Sequence, residues 1–229
     1  MDAYVVLACA SAFVGTHLLL SHPLRQPLVR AVGAGSFLLL YSLVAAVTLG
    51  ATAWAYGQVP VTSAYWPVGA GIWALVTFVM LPASVLLVGS LVKNPALPGA
   101  AATAATAPAQ GVYAITRHPM MWACAVWGAC HILVYPVAKN IVVAGAIIVL
   151  ALIGAALQDR KKAAQDPVGW PAWQARTSYW PFAAMVQGRA RAGSFGAHAL
   201  VGGLIVWLVA TWAHIPLAGW AAGIWRWLL

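Results

Sequence analysis

The chain has 229 residues, of which 63% are apolar and only 7% charged, with a formal net charge of +9 at pH 7. This balance excludes a soluble globular domain, and several apolar runs reach the ~20 residues a helix needs to cross a bilayer. Nucleic-acid binding is also excluded, because the soluble basic and aromatic surface it requires is missing; attraction to anionic lipid headgroups accounts for the basic residues.

In chain order, the apolar pattern predicts about six transmembrane helices in one all-α domain covering residues 1–229. The first runs from Ala3 to Leu20 and is ended by Ser21-His22-Pro23. Its acidic start and lack of a small-residue cleavage site give a retained span rather than a signal peptide. The second runs from Gly33 to Tyr56. The third runs from Pro67 to Val92, with Pro82 as a kink site whose freed carbonyl needs a neighbouring helix. Lys93 to Gln110 is a Gly/Ala/Pro/Thr-rich linker, flexible by composition. The fourth span, Pro119 to Val137, opens with proline at a helix start, where its missing N–H costs nothing. The fifth runs from Asn140 to Gln158. The polar, Trp/Arg-rich stretch Asp159 to Ser194 is expected to lie as a loop on the cytoplasmic surface. The sixth span reaches from Phe195 to His214, and the tail with Trp220, Trp225, Arg226 and Trp227 has the character of an interfacial anchor.

Charge is segregated between the connections. Arg25, Arg30, Lys93, Arg117, Arg160, Lys161, Lys162, Arg176, Arg189 and Arg191 fall on one side, and only Lys139 and Arg226 on the other. The positive-inside bias then puts the basic connections in the cytoplasm and both termini on the opposite side.

The candidate chemistry is narrow. The acids are Asp2, Asp159 and Asp166, none within an expected span, so a carrier relying on a buried carboxylate has no candidate. There is no H-E-x-x-H or G-x-S-x-G. Cys9, Cys124 and Cys130 fall in spans as small packing residues, and without C-x-x-C-H there is no covalent haem attachment. Paired broken helices, the mark of many transporters, are also absent from the sequence.

Histidine is what is left. His17 and His131 lie inside apolar stretches, where an ionisable side chain is a functional-site candidate. Two neutral imidazoles on separate helices without a carboxylate suit a soft or borderline metal. Around His131, helical spacing collects Cys124, Trp127 and Gly128, a wall and a gap into which a flat macrocycle could fit. Counted from the basic side, His17 lies ~12 Å deep and His131 ~20 Å deep along their helices, a difference that a tilted porphyrin bridges. Spacing alone leaves each imidazole equally readable as hydrogen-bonded to a neighbouring helix. His22 at the membrane boundary is a fallback ligand, His118 sits at the interface, and His198 and His214 bracket the last span.

The stretch Gly111-Val-Tyr-Ala-Ile-Thr-Arg-His-Pro-Met-Met-Trp, with His131 thirteen residues after His118, resembles the signature of the NnrU family. That family includes the 15-cis-zeta-carotene isomerase of plants and cyanobacteria. His17 with Leu24-Arg25, Asp159-Arg160 and Gly169-Trp170…Thr177-Ser178…Pro181-Phe182 fit as well. The resemblance implies a multi-pass protein, here of a bacterial inner membrane with periplasmic termini, carrying non-covalent haem b. It implies His17 and His131 as switchable axial ligands and catalytic pair, Arg117 and Arg160 as propionate partners, and Trp127 and Gly128 against the macrocycle. The activity it implies is cis–trans isomerisation of a hydrophobic carotenoid-like polyene. The isomerase pattern has histidine where this chain has Gln158, and the polar Trp-rich loop is closer to the bacterial branch. That branch implies a non-catalytic haem sensor, electron relay or assembly factor in denitrification. A fainter resemblance, Arg-His-Pro after Gly-x-Tyr, is to membrane methyltransferases using S-adenosylmethionine, whose acidic pair is replaced here by Gln158-Asp159-Arg160-Lys161.

Overall fold

The computed structural model describes residues 2–96 and 109–229, so most of the Gly/Ala/Pro/Thr-rich linker lies outside the described residues. Among these the chain is all-helical, with five helices long and apolar enough to span a membrane: α1 (Ala3–Ser21), α3 (Ala34–Gln58), α4 (Ala70–Gly89), α7 (Ala138–Gln165) and α10 (Ala197–Ala218). The expected fourth span is shorter than the sequence suggested. The helix α6 (Pro119–Val134) has 16 residues, about 24 Å of rise against a hydrocarbon core of about 30 Å. Its polar end is closed early by Tyr135-Pro136, since proline disfavours helix in the residue before it. Five long helices and one short apolar helix therefore replace the expected six spans.

Short helices join these: α2 (Arg25–Val32), α5 (Val112–Ile115), α8 (Gly169–Arg176), α9 (Ala183–Val186) and α11 (Trp225–Leu228). Contacts run in the order α3, α1, α7, α6, α4, α10. Small residues let the backbones approach, as expected where lipid supplies no hydrophobic drive between helices. A side chain at Gly203 of α10 would begin 2.7 Å from the Val85 Cα of α4. One at Gly128 of α6 would lie 2.8 Å from the Ala144 carbonyl oxygen of α7.

One end of the bundle gathers the starts of α1 and α7 with the end of α3: Val6, Ala55 and Val59 pack together with Val142. Two polar residues at the start of α7 clamp it. Lys139 Nζ donates to the Tyr56 (3.1 Å) and Val59 (2.6 Å) carbonyls at the end of α3, where a cation also suits the helix dipole. Asn140 Nδ2 donates to the His131 (2.9 Å) and Tyr135 (2.7 Å) carbonyls at the end of α6. The opposite end carries most of the basic residues, in keeping with the segregation read from the sequence.

At that basic end α7 continues to Gln165, well past the expected stop at Gln158. The following segment is not a simple surface loop. Trp170 and Trp173, each 1% exposed, pack with Val112, Tyr113 and Ala96 into a cap over the bundle. The C-terminal tail likewise folds back onto the helices: the Trp225 indole donates to the Leu208 carbonyl at 3.0 Å, and the Arg226 guanidinium lies 4.4 Å over the Trp73 ring.

Candidate functional site

Between α3, α4, α6, α7 and α10 lies a chamber of about 740 Å³, within the ~300–1,000 Å³ typical of ligand pockets. Its wall is mostly apolar and aromatic, with Trp73, Trp127, Trp207 and Trp220, and the tail closes one side through Ala222 and Gly223. Two imidazoles face it, His131 from the last turn of α6 and His214 from α10. The His131 Nδ1 is 2.8 Å from the Trp127 carbonyl oxygen, and the His214 Nδ1 is 2.8 Å from that of Ala210. A carbonyl only accepts, so each Nδ1 carries the proton and each Nε2 keeps its lone pair. The two rings have centroids 6.0 Å apart and planes inclined at 30°. That is close to what two metal–nitrogen bonds of about 2 Å, plus the reach from nitrogen to ring centre, would span. The Trp127 ring covers His131 at 4.0 Å. Two buried polar atoms in the chamber's lining residues, Thr77 Oγ1 and Trp207 Nε1, have no partner among the described residues. Such atoms are costly unless something satisfies them.

His17 is elsewhere. It sits one turn before the end of α1 and lines a smaller cavity of about 270 Å³ with Ser21, His22, Tyr41, Gln158 and Lys161, next to Met121 in the first turn of α6. Its Nε2 is 2.5 Å from the Tyr41 hydroxyl, which accepts from Ser21 Oγ at 3.1 Å. From Met121 to His131 is about 15 Å of helix, so the two histidines face different cavities near opposite ends of the bundle. Counting depth from Arg25 had placed His17 too far inside, because α1 ends at Ser21 and the chain turns before Arg25.

A third cluster is a structural tie that the sequence reading missed. His118, expected at the interface, is 3% exposed, and its Nε2 is 2.8 Å from Asp159 Oδ1. Arg117 grips the same carboxylate, Nε at 2.8 Å and Nη2 at 2.6 Å from Oδ2. Thr116 Oγ1 donates to the Tyr179 carbonyl at 2.8 Å, and the Arg117 amide donates to the Ser178 carbonyl at 2.8 Å. The Thr-Arg-His-Pro stretch thus pins the cap segment to α7.

A family model described as NnrU protein matches residues 5–222. The chain belongs to the NnrU family. No curated protein and no solved structure matches it. Within this NnrU fold the candidate residues fall into three groups. His131 and Trp127 line the chamber, His17 and His22 line the smaller cavity, and Arg117 is committed to Asp159. Arg160 is exposed. Gly128 serves the contact with α7, its missing side chain occupied by Ile148 and the Ala144 carbonyl. His17 and His131 thus line different cavities. The chamber is the cavity that holds two imidazoles, His131 and His214.

Proposed function

We propose that this NnrU-family membrane protein binds haem b in the large chamber, with His131 as one axial ligand and His214 as the other. The observation that carries the reading is the pair of imidazoles in one apolar chamber, each with Nδ1 held by its own helix and Nε2 left as the ligating nitrogen. Fixing the non-ligating nitrogen is how proteins orient a metal-bound histidine. Lys139, whose Nζ donates two hydrogen bonds to the end of α3, has a third ammonium proton for an occupant with acceptor oxygens. Lys139 is the one charged residue among those lining the chamber, so it takes the role in holding propionates first given to Arg117 and Arg160. When bound, haem would supply an iron whose reactivity the axial ligands and the surrounding apolar wall tune.

The activity we propose is cis–trans isomerisation of a carotenoid-like polyene reaching the chamber from the bilayer. The lining holds neither carboxylate nor thiol, its two imidazoles are the iron ligands in this reading, and the apolar wall suits a hydrocarbon. The test uses full-length protein purified with haem. Oxidised and dithionite-reduced absorption spectra should show six-coordinate haem, and reduced protein should convert 9,15,9'-tri-cis-zeta-carotene to its 15-trans product. Unchanged isomer composition with haem present would remove the isomerase activity and leave a sensor or electron relay. A preparation that takes up no haem would remove the whole reading.

A further inference from the structure

The smaller cavity at the basic end has a different chemistry. Lys161 and His22 line it, together with the hydroxyls of Ser21 and Tyr41, the Gln158 amide and the His17 ring. Arg25 and Lys162 lie close enough to Lys161 to repel it electrostatically. No carboxylate answers this charge. Asp159 is taken by Arg117 and His118, Asp166 accepts the Gly169 amide proton at 2.7 Å, and Asp2 precedes α1, whose opposite end carries the cavity.

The hydrogen-bond chain adds a second, independent mark. Ser21 Oγ donates to Tyr41 Oη, whose single proton is then free for His17 Nε2. A neutral imidazole accepting at Nε2 carries its own proton at Nδ1. That Nδ1 is buried and has no partner among the described residues, a donor left without an acceptor beside a cavity already short of negative charge.

We propose that this cavity binds a phosphate anion, with Lys161 as its cationic contact and the His22, Ser21, Tyr41 and Gln158 side chains as polar neighbours. Phosphate is the anion such a site meets at a membrane surface, carried either by an anionic phospholipid or free in solution. The basic end of the bundle is the end that faces an anionic leaflet under the positive-inside bias.

The test is a thermal-shift titration of full-length protein in neutral detergent with phosphatidylglycerol, phosphatidylcholine or inorganic phosphate. Phosphatidylglycerol raising the unfolding midpoint more than phosphatidylcholine assigns a lipid phosphate; inorganic phosphate doing so alone assigns the free ion. In either case Lys161→Gln should weaken the apparent affinity about five-fold, the worth of one basic residue at about 1 kcal/mol. His22→Gln should weaken it in mild acid, while Arg160→Gln, altering an exposed neighbour, should not. The proposal is overturned if no phosphate species shifts the midpoint, if phosphatidylcholine matches phosphatidylglycerol with inorganic phosphate silent, or if Lys161→Gln titrates like the parent. Haem content does not enter the measurement, so this result and that for the chamber stand apart.

Discussion

Replacing Asp159 by asparagine removes the one carboxylate that holds both Arg117 and His118. The Arg117 and Asp159 side chains are 11% and 10% exposed and the His118 side chain 1%, so the substitution strands a guanidinium where water reaches poorly. Breaking such a pair from one side costs about 3–5 kcal/mol, against about 0–1 kcal/mol for an exposed ion pair. At about 2–4 °C per kcal/mol for a chain of this size, the apparent melting midpoint should fall by about 10 °C. Tryptophan fluorescence in detergent reads this directly, because Trp170 and Trp173 are buried in the cap that the cluster pins. The double variant Arg117→Met/Asp159→Leu should recover much of the loss, since most of it is the penalty of the uncompensated partner. A fall of under ~3 °C in the single variant would fit an exposed pair. That result, or a double variant less stable than Asp159→Asn, would refute the buried-tie reasoning.

The helix contacts and the basic cavity yield further expectations. Gly203→Val should destabilise by about 1–3 kcal/mol, because its side chain would meet the Val85 backbone in a contact with no room to relax. Gly15→Ala, with nothing within 4 Å, should leave the midpoint unchanged or slightly raised; paired thermal melts compare them. Lys139→Met removes two hydrogen bonds from a charged donor to the end of α3 and should cost about 2 kcal/mol in denaturation of the haem-free protein. Burial, then Lys161 and then His17, hold His22 below the ordinary imidazole range. His22 is therefore neutral at pH 7 and gains its proton only as pH falls through that lowered value. Affinity for phosphatidylglycerol, whose phosphodiester stays ionised there, should rise in acid. In His22→Gln that rise should be absent; titrations at pH 7 and in mild acid check it.

Much of the fold was legible because span length and apolar run length are nearly the same information. What the runs could not show is where a helix ends inside its own pattern. Residues 158–165 look like a loop by charge, yet Gln158-Asp-Arg-Lys-Lys-Ala-Ala-Gln are helix-compatible and no proline comes before Pro167. Reading for breakers rather than for polarity would have extended α7 and carried Asp159 into the helix. The Arg117–His118–Asp159 tie needs a contact across 41 residues, which no local pattern encodes. His131 was legible as a lone imidazole in an apolar helix. Its neighbour His214 was read as a span end, and their meeting follows from α4 packing between α6 and α10. That His17 and His131 line different cavities reflects the turns of helix between Met121 and His131, which local spacing does not encode.

The central claim is that one chamber holds the iron between His131 and His214. The direct measurement is the low-temperature electron paramagnetic resonance spectrum of the oxidised, haem-replete protein and its His131→Ala, His214→Ala and His17→Ala variants. Low-spin signals should survive His17→Ala and be lost in each of the other two. Loss of the low-spin signal in His17→Ala, with His214→Ala unchanged, would contradict the account and return the second ligand to α1.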